Sequence, residues 1–201
     1  MESEISLFQE KKPKRGVENI NEYVEPFTFI EQIETANHHE YTVDAETKIR
    51  RDKALVAFLG LTGMRISEAL NIDCSQVKLN DDPQYIVVKD VKILKRRKTV
   101  KNEFVLPKTG ILQPLTEMVL AHLDNRKESP LFDLSRYWAW KIVKRMTGKW
   151  CHYFRSQRIS FLVNEKRLPP TAICKMMGMK DLKTVLHYDK SAWQDFRNEL
   201  F

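Results

Sequence analysis

Two residues with the chemistry to act on an oxyanion, His152 and Arg155, stand three positions apart in the segment WCHYFRSQRISFLVN, residues 150–164. On a helix, side chains at this spacing share a face. An imidazole exchanges protons near neutral pH, and a guanidinium forks onto phosphate oxygens. The pair can therefore bind one phosphate and move a proton beside it. The competing interpretation is an amphipathic helix with an incidental histidine and an arginine that only covers apolar surface.

A second arginine stands in the segment GLTGMRISEALNI, where Arg65 and Glu68 are also three residues apart. Most of the surrounding residues are apolar, and a charged pair in such surroundings needs a reason to be there. One hypothesis is that Glu68 orients Arg65 so that its fork points at a phosphate. The alternative is an ordinary surface salt bridge, which contributes little.

Positive charge is concentrated in one further stretch. Six basic residues fall between Lys92 and Lys101, and the chain has a formal net charge of +7. Runs rich in Val, Ile and Phe predict β-strands over 85–88, 91–94 and 102–106, which places the lysines at or near a hairpin tip. This distribution is typical of proteins that bind a phosphate backbone, although a charged turn that favours solubility has the same composition.

The composition excludes several classes of protein. The chain has 201 residues, of which 42% are hydrophobic and 30% charged, enough for one core or for one domain and an arm. No apolar run approaches the ~18 residues of a membrane span. The N-terminus is polar and does not resemble a signal peptide. Cys74, Cys151 and Cys174 lie far apart, which favours buried thiols in a reducing compartment.

The elements that must position these residues are mostly helices. Asp44 is a candidate N-cap for a helix that ends at Leu61, before Gly63. Further helices are predicted over 111–123, from Ser135 to Gly148, from Trp150, from Pro169-Pro170 to Gly178, over 182–186 and over 191–201. The predicted fold class is therefore α+β, mainly α: a helical bundle with a small antiparallel sheet or hairpin.

Taken together, three motifs resemble those of the tyrosine recombinases, the phage-integrase and Xer group. GLTGMRISEALNI is similar to the first arginine motif of that family, and HYFR to its His-x-x-Arg motif. MMGMKDLKTVLHYDK resembles the final box, which leads to a nucleophilic tyrosine. The three motifs occur in the family's order, over roughly residues 45–190. The resemblance implies a catalytic domain that cuts and rejoins DNA through a covalent 3′-phosphotyrosine.

The resemblance also implies a role for each matching residue. Arg65 and Arg155 match the two arginines that clamp the scissile phosphate, His152 the motif histidine, and Tyr188 the nucleophile. Glu68 matches the acidic residue that supports the first arginine. The family's hairpin lysine is matched best by Lys98, while Lys95 and Lys101 remain open because hairpin length varies. The other candidate DNA contacts are basic residues of the hairpin and the His-x-x-Arg helix: Lys95, Arg96, Arg97, Lys101 and Arg158.

The chain departs from the family in two places. Met179 stands where the family has His or Trp, and a methionine cannot donate a hydrogen bond to a phosphate. Lys180 or His187 is the neighbour that can substitute. In addition, about 45 residues precede the matching region, whereas the family carries an N-terminal core-binding domain. The expected organisation is a partly ordered N-terminal arm or linker over 1–44, the catalytic domain over 45–190, and a C-terminal helix over 191–201 that can contact another protomer.

Double-stranded DNA is the implied partner, with no metal, no other cofactor and no membrane. A homo-oligomer is expected, tetrameric on DNA, because rejoining two duplexes requires four active sites. The implied location is the cytoplasm, or the host-cell interior for a viral or plasmid-borne protein, in association with the nucleoid. Two alternatives remain: a DNA-binding protein with a degenerate, weakly active or inactive recombinase fold, and a nick-closing enzyme like a type IB topoisomerase.

Overall fold

A computed structural model describes residues 25–36, 38, 41–95, 98–126, 129–179 and 181–189. Most of the predicted N-terminal arm, the predicted helix over 191–201, and Arg96, Arg97 and Lys180 lie outside the described residues.

The described part of the chain is a helical domain with one small sheet. The helices are α1 Pro26–Glu34, α2 Ala45–Thr62, α3 Ile66–Ala69, α4 Gln113–Asp124, α5 Arg136–Thr147, α6 Cys151–Ser160, α7 Pro170–Met176 and α8 Leu182–Leu186, and a π-helical turn, Phe161–Glu165, extends α6. The strands are β1 Val77–Lys78, β2 Tyr85–Lys95 and β3 Lys98–Pro107. The predicted fold class is confirmed.

Helix α2 is the centre of the main core. Every residue from Ala54 to Leu59 is fully buried, which explains the dense apolar sequence there, because other helices surround this half of α2. Helices α1, α4, α5 and α6 all pack on it. Asp44 occupies the predicted N-cap position, but its backbone is left-handed and its side chain caps no N–H. The predicted N-cap position is therefore confirmed, and no side-chain hydrogen bond accompanies it.

A buried carboxylate joins α2 to α5. Asp52 is fully buried. One of its oxygens accepts hydrogen bonds from Tyr41 Oη at 2.5 Å and Arg145 Nη2 at 2.7 Å. The other accepts from Nε and Nη2 of Arg51, at 3.1 and 2.9 Å. Because buried charges need paired, hydrogen-bonded partners, this cluster stabilises the contact between the two helices.

The sheet is antiparallel in the order β1-β2-β3. Val88 pairs with Phe104 and Val91 with Asn102, so β2 has one extra residue in between. Asp90 in this bulge has a φ of +55°. The two β-runs predicted over 85–88 and 91–94 are thus one bulged strand. Strand β1 was not predicted, since two residues are too few for a periodic pattern.

The hairpin is longer than its sequence suggested. Strand β3 begins at Lys98 and not at 102, and Lys98 pairs with Lys95 at the end of the ladder. Lys101 pairs with Lys92 within the strands, near the hairpin turn but not in it. Backbone pairing extended the ladder through residues whose charged side chains gave no strand signal.

A second, smaller core lies at the C-terminal end of the described chain. It is built from the end of α6, α7, α8 and the residues that follow: Ile159, Leu162, Ile173, Cys174, Met177, Val185 and Tyr188. Helix α1, which falls within the segment predicted as an arm, contributes Ile30 and Ile33 to the main core. Among the described helices, none is both long and apolar enough to cross a membrane.

Candidate active site

The turn after α2 and the start of α3 position Arg65. The Glu68 carboxylate accepts one hydrogen bond from the Arg65 backbone N–H at 2.9 Å and another from its Nη1 at 2.7 Å. Glu68 is buried, whereas the Arg65 side chain is 42% exposed. The carboxylate therefore holds both ends of this arginine while leaving much of the guanidinium open to a ligand.

Arg155 lies deeper, on α6. Its Nη1 donates to the Gly63 carbonyl at 3.1 Å, and its Nη2 donates to the Met177 carbonyl. The residue is only 2% exposed. The hydrogen bonds therefore join the three motifs, because Gly63 precedes Arg65 and Met177 precedes the loop that leads to Tyr188. Both acceptors are neutral, and within the described ranges no carboxylate forms an ion pair with Arg155.

The charge of Arg155 is costly to bury. Burial, followed by the positive charge of Arg65, lowers the pKa of Arg155 to about 10. The group nevertheless remains protonated at neutral pH. A guanidinium has five N–H donors, and the two carbonyls occupy only part of this set. An oxyanion is the ligand that can both accept the remaining hydrogen bonds and balance the charge.

Two glycines make this close arrangement possible. Gly63 has a φ of +63°, and a Cβ there would lie 2.8 Å from side-chain carbons of Arg158 and Met177. Gly178 has a φ of +61°, and a Cβ there would lie 2.7 Å from the Ile93 side chain of the hairpin. A side chain at position 63 would push the turn after α2 away from α6, which carries Arg155. A side chain at position 178 would push the turn after α7 away from the hairpin.

His152 is exposed in the first turn of α6. Partial desolvation of the ring, then the positive charges of Arg155 and Arg65, lowers the pKa of His152. The imidazole is therefore neutral at pH 7, with one ring nitrogen able to accept a proton and the other to donate a hydrogen bond. Three residues before Arg155 on α6, the ring lies on the same face of the helix as that guanidinium.

Tyr188 is held at both ends just beyond α8. Its hydroxyl shares a hydrogen bond with Ser156 Oγ at 3.1 Å, and its backbone carbonyl accepts one from Asn164 Nδ2 at 2.8 Å. The ring is buried in the second core. Since Ser156 directly follows Arg155, this hydrogen bond brings the phenol towards the buried guanidinium.

Sequence reasoning missed Ser156 and Asn164. They lie 32 and 24 residues before Tyr188, and no periodic pattern connects positions so far apart in different elements. A polar side chain on the helix that carries the His-x-x-Arg motif was the only available signal.

The hairpin is anchored beside this cluster. Asn102 Nδ2 on β3 donates to the carbonyls of Lys175 at 3.3 Å and Met176 at 2.5 Å. The contact between Ile93 and Gly178 fixes β2 against the same turn. The half of the hairpin nearest its turn therefore lies next to the loop that leads to Tyr188, and the backbone of Lys98 is paired with Lys95 at that same end of the ladder.

Two of the predicted DNA contacts, Lys101 and Arg158, have partners within the protein. Lys101 Nζ forms an exposed ion pair with Asp90 at 2.9 Å. The Arg158 guanidinium lies over the Phe161 ring at 5.4 Å. Met179 packs against the second core, so the residue that replaces the family's His or Trp contributes apolar packing.

The cluster as a whole suits a phosphate diester. Two guanidinium groups with one buried carboxylate leave net positive charge, which an anion can balance. A neutral imidazole and a phenol complete a set that can stabilise charge, move a proton and supply a nucleophile.

Comparison with known proteins agrees with this chemistry. The model of the phage integrase family matches residues 29–194. No curated protein matches the chain significantly in sequence. Among solved structures, the fold is similar to the XerH site-specific recombinase bound to difH substrate in a pre-cleavage complex, with a TM-score of 0.63 and 18% identity over 82% of this chain and 48% of that one.

Two further structures are similar. The XerA recombinase has a TM-score of 0.57 and 16% identity, over 94% of this chain and 65% of its own. The Tn1549 transposon integrase in complex with circular intermediate DNA has a TM-score of 0.55 and 16% identity, over 88% of this chain and 65% of its own. The chain spans about half the length of the XerH recombinase.

Proposed function

The chain belongs to the phage integrase family, and from this premise we propose that it contains the catalytic domain of a tyrosine-type site-specific DNA recombinase. The domain extends over residues 45–190, with α1 packed against it. It cuts a DNA strand to form a covalent 3′-phosphotyrosine and then rejoins it to a new 5′ end. The bond energy is kept in the phosphotyrosine, so the reaction needs no external energy source.

The observation that supports this proposal most strongly is the state of Arg155. A guanidinium that is 2% exposed and bound only to neutral carbonyls is unfavourable unless an anion completes the site. The adjacent groups are Arg65, His152 and Tyr188, and together with Arg155 they match the residues that phosphoryl transfer to a tyrosine requires.

In the proposed reaction, Arg65 and Arg155 bind the non-bridging oxygens of the scissile phosphate. They stabilise the negative charge that develops as the phosphorus is attacked. The Tyr188 oxygen forms the new bond to phosphorus, and the bond from phosphorus to the 5′ oxygen breaks. His152, neutral at pH 7, accepts the phenol proton, and Lys98 donates a proton to the leaving 5′ oxygen.

The remaining candidates support the reacting groups. Glu68 positions Arg65, and Ser156 orients the Tyr188 hydroxyl before attack. Lys95, Arg96, Arg97, Lys101 and Arg158 contribute backbone contacts, which add affinity without sequence preference. The proposed partner is double-stranded DNA, bound by a homo-oligomer that is tetrameric during strand exchange, inside the cell and in association with the nucleoid.

Covalent trapping tests the proposal. The protein is mixed with duplexes that carry a nick near candidate sites, so that the fragment released by cleavage diffuses away, and an SDS-resistant protein–DNA band is measured. We expect a band with the wild-type protein and none with Tyr188→Phe, while both proteins bind the duplex equally. Cleavage that persists in Tyr188→Phe would reject Tyr188 as the nucleophile.

Met179 favours one second candidate, a DNA-binding protein of the same fold with little or no cleavage activity. Its side chain packs against the second core and offers no hydrogen-bond donor to a phosphate. The variant Met179→His separates the two candidates. A band in the variant but not in the wild-type protein, on the same duplex, would identify the inactive form.

A further inference from the structure

An aromatic groove opens beside His152. Its volume is about 580 Å³, within the ~300–1,000 Å³ of ordinary ligand pockets. Its walls come from α5, the start of α6 and the start of α3: Ile66, Arg136, Tyr137, Trp140, Trp150, Cys151 and His152. Because His152 forms part of the wall and Ile66 follows Arg65, the groove is continuous with the candidate active site.

The rings in this groove are unusually exposed. Tyr137 is 58% and Trp150 47% exposed. Trp140 lies between them, with ring centroids 6.3 Å from Tyr137 and 5.8 Å from Trp150. The buried face of α5 consists of other residues, including Ala139, Ile142 and Val143. Trp140 packs against the main core, but core packing does not account for Tyr137 and Trp150, and a contiguous exposed aromatic surface indicates a binding site.

Cations lie along the same surface. Lys141 Nζ is 5.1 Å from the Tyr137 ring centroid, and Lys144 Nζ is 4.9 Å from that of Trp150. Arg136 is exposed in the groove wall. Lysine is depleted at protein–protein interfaces, whereas alternating cations and aromatic rings are typical of surfaces that bind single-stranded nucleic acid. The charge and the rings together favour a nucleic-acid strand over a protein partner.

We propose that the aromatic groove binds unpaired nucleotides of a DNA strand beside the scissile phosphate. Bases stack on Tyr137 and Trp150, while Arg136, Lys141 and Lys144 contact the phosphates. A base within a duplex is already covered by its neighbours, so the groove selects unpaired nucleotides. Every base has a π-face, and the preference is therefore for single strands rather than for a sequence. This inference rests on the proposed function for the position of the strand.

Fluorescence anisotropy with two labelled probes tests it: a short single strand of mixed sequence and the duplex of the same sequence. In the double variant Tyr137→Leu/Trp150→Leu we expect single-strand binding to weaken about tenfold or more, as loss of base stacking predicts. Duplex binding should change less than about twofold, since the backbone contacts of the hairpin remain. Leucine keeps apolar bulk but removes the π-face.

Two matched variants control for folding and for ring chemistry. Phe27→Leu makes the same kind of change at a residue of α1 that is 70% exposed and lies outside the groove, and it should bind both probes normally. Tyr137→Phe/Trp150→Phe keeps the rings and should retain most single-strand binding. Unchanged single-strand binding in the leucine variant, or equal losses for both probes, would overturn the proposal. Sedimentation gives a further test. If the wild-type protein is a dimer and the leucine variant is a monomer that still binds single strands, the proposal is also overturned.

Covalent trapping keeps this test separate from that of the proposed function. If the groove variants show normal covalent trapping and also bind single strands as tightly as the wild-type protein, only the inference about the groove is rejected. If the wild-type protein is not trapped on a proven site, but single-strand binding still depends on the rings, the recombinase proposal is rejected. The proposal that the groove binds nucleic acid is then retained.

Discussion

Two regions of this domain contain the same charged groups in different arrangements. At the contact between α2 and α5, the guanidinium groups of Arg51 and Arg145 both donate to the buried carboxylate of Asp52. At the candidate active site, Arg65 donates to the buried Glu68, but Arg155 donates to two backbone carbonyls. Each region has two guanidinium groups and one carboxylate.

The difference lies in where the donors point. In the first region they converge on an anion within the protein, so the charges stabilise the fold. In the second region the buried guanidinium forms no ion pair among the described residues, although the Glu68 carboxylate partly offsets the effect of burial, and the group stays charged even though its pKa is lowered. A protein keeps such a group when a bound anion completes it, so the comparison separates a structural ion cluster from a binding site.

The largest expected effect is that of Asp52→Ala on stability. Its removal leaves two guanidinium groups without their anion, and breaking a buried pair costs about 3–5 kcal/mol. Urea unfolding measures the loss. Covalent capture, measured at low temperature and normalised to the folded fraction, should match the wild-type protein. If fully folded Asp52→Ala no longer captured DNA covalently, Asp52 would belong to the active site. The distinction between a structural ion cluster and a binding site would then not hold.

Arg155→Ala should show the opposite pattern. We expect cleavage to slow about 10²–10³-fold, because the transition state loses a charged donor worth roughly 2.7–4 kcal/mol. Single-turnover cleavage of the nicked duplex measures the rate, and urea unfolding should show a smaller loss of stability than in Asp52→Ala. An unchanged rate would remove Arg155, and with it α6, from the mechanism.

Glu68→Gln should have an intermediate effect. Glutamine keeps an acceptor but loses the charge that strengthens the hydrogen bonds to Arg65. The difference between a charged and a neutral hydrogen bond is about 1–1.5 kcal/mol, or about 5–12-fold in cleavage. Glu46→Gln is the matched control, since Glu46 forms an exposed ion pair with Arg50 on α2, where such pairs contribute little. Equal effects in the two variants would show that Glu68 has no special role.

Ser156→Ala should slow cleavage by about 2- to 10-fold, in line with one neutral hydrogen bond of roughly 0.5–1.5 kcal/mol. Ser156 positions the Tyr188 hydroxyl, so duplex affinity should stay constant while the single-turnover rate falls. Ser156→Thr, which keeps the hydroxyl, should restore most of the rate. A loss of affinity at constant rate would indicate a structural role only.

The smallest effect concerns pH. Because the pKa of His152 is lowered from 6.5, the imidazole stays neutral down to a pH below 6.5 and becomes protonated only at more acidic pH. Cleavage should therefore be constant above pH 6.5 and fall below it as the proton acceptor is lost. The acid limb should disappear in His152→Gln, which has a lower but flatter rate. An acid limb that survives in this variant belongs to another group.

Much of the fold was predictable because it depends on local signals. Ser135 accepts a hydrogen bond from the Trp138 N–H, and Gly148 ends the helix with a φ of +67°, as their residue types indicated. Helix α8 spans 182–186, as predicted. The errors fell where pairing with another strand decides the structure, at the start of β3 and at the bulge near Asp90. Asp44 occupies the N-cap position of α2, as predicted, with a left-handed backbone.

For the candidate site, the sequence by itself determined which chemical groups are available and in what order. The motif spacing placed Arg65, the pair of His152 and Arg155, and Tyr188 on three separate elements, and Glu68 close to Arg65. Only the tertiary structure decided that Arg155 lies between the Gly63 and Met177 carbonyls. It also decided that Ser156 contacts Tyr188, and that Asp52 is buried between arginines. Hydrogen bonds between distant elements depend on where packing places their backbones. The spacing of two residues along the chain does not determine the distance between them in space.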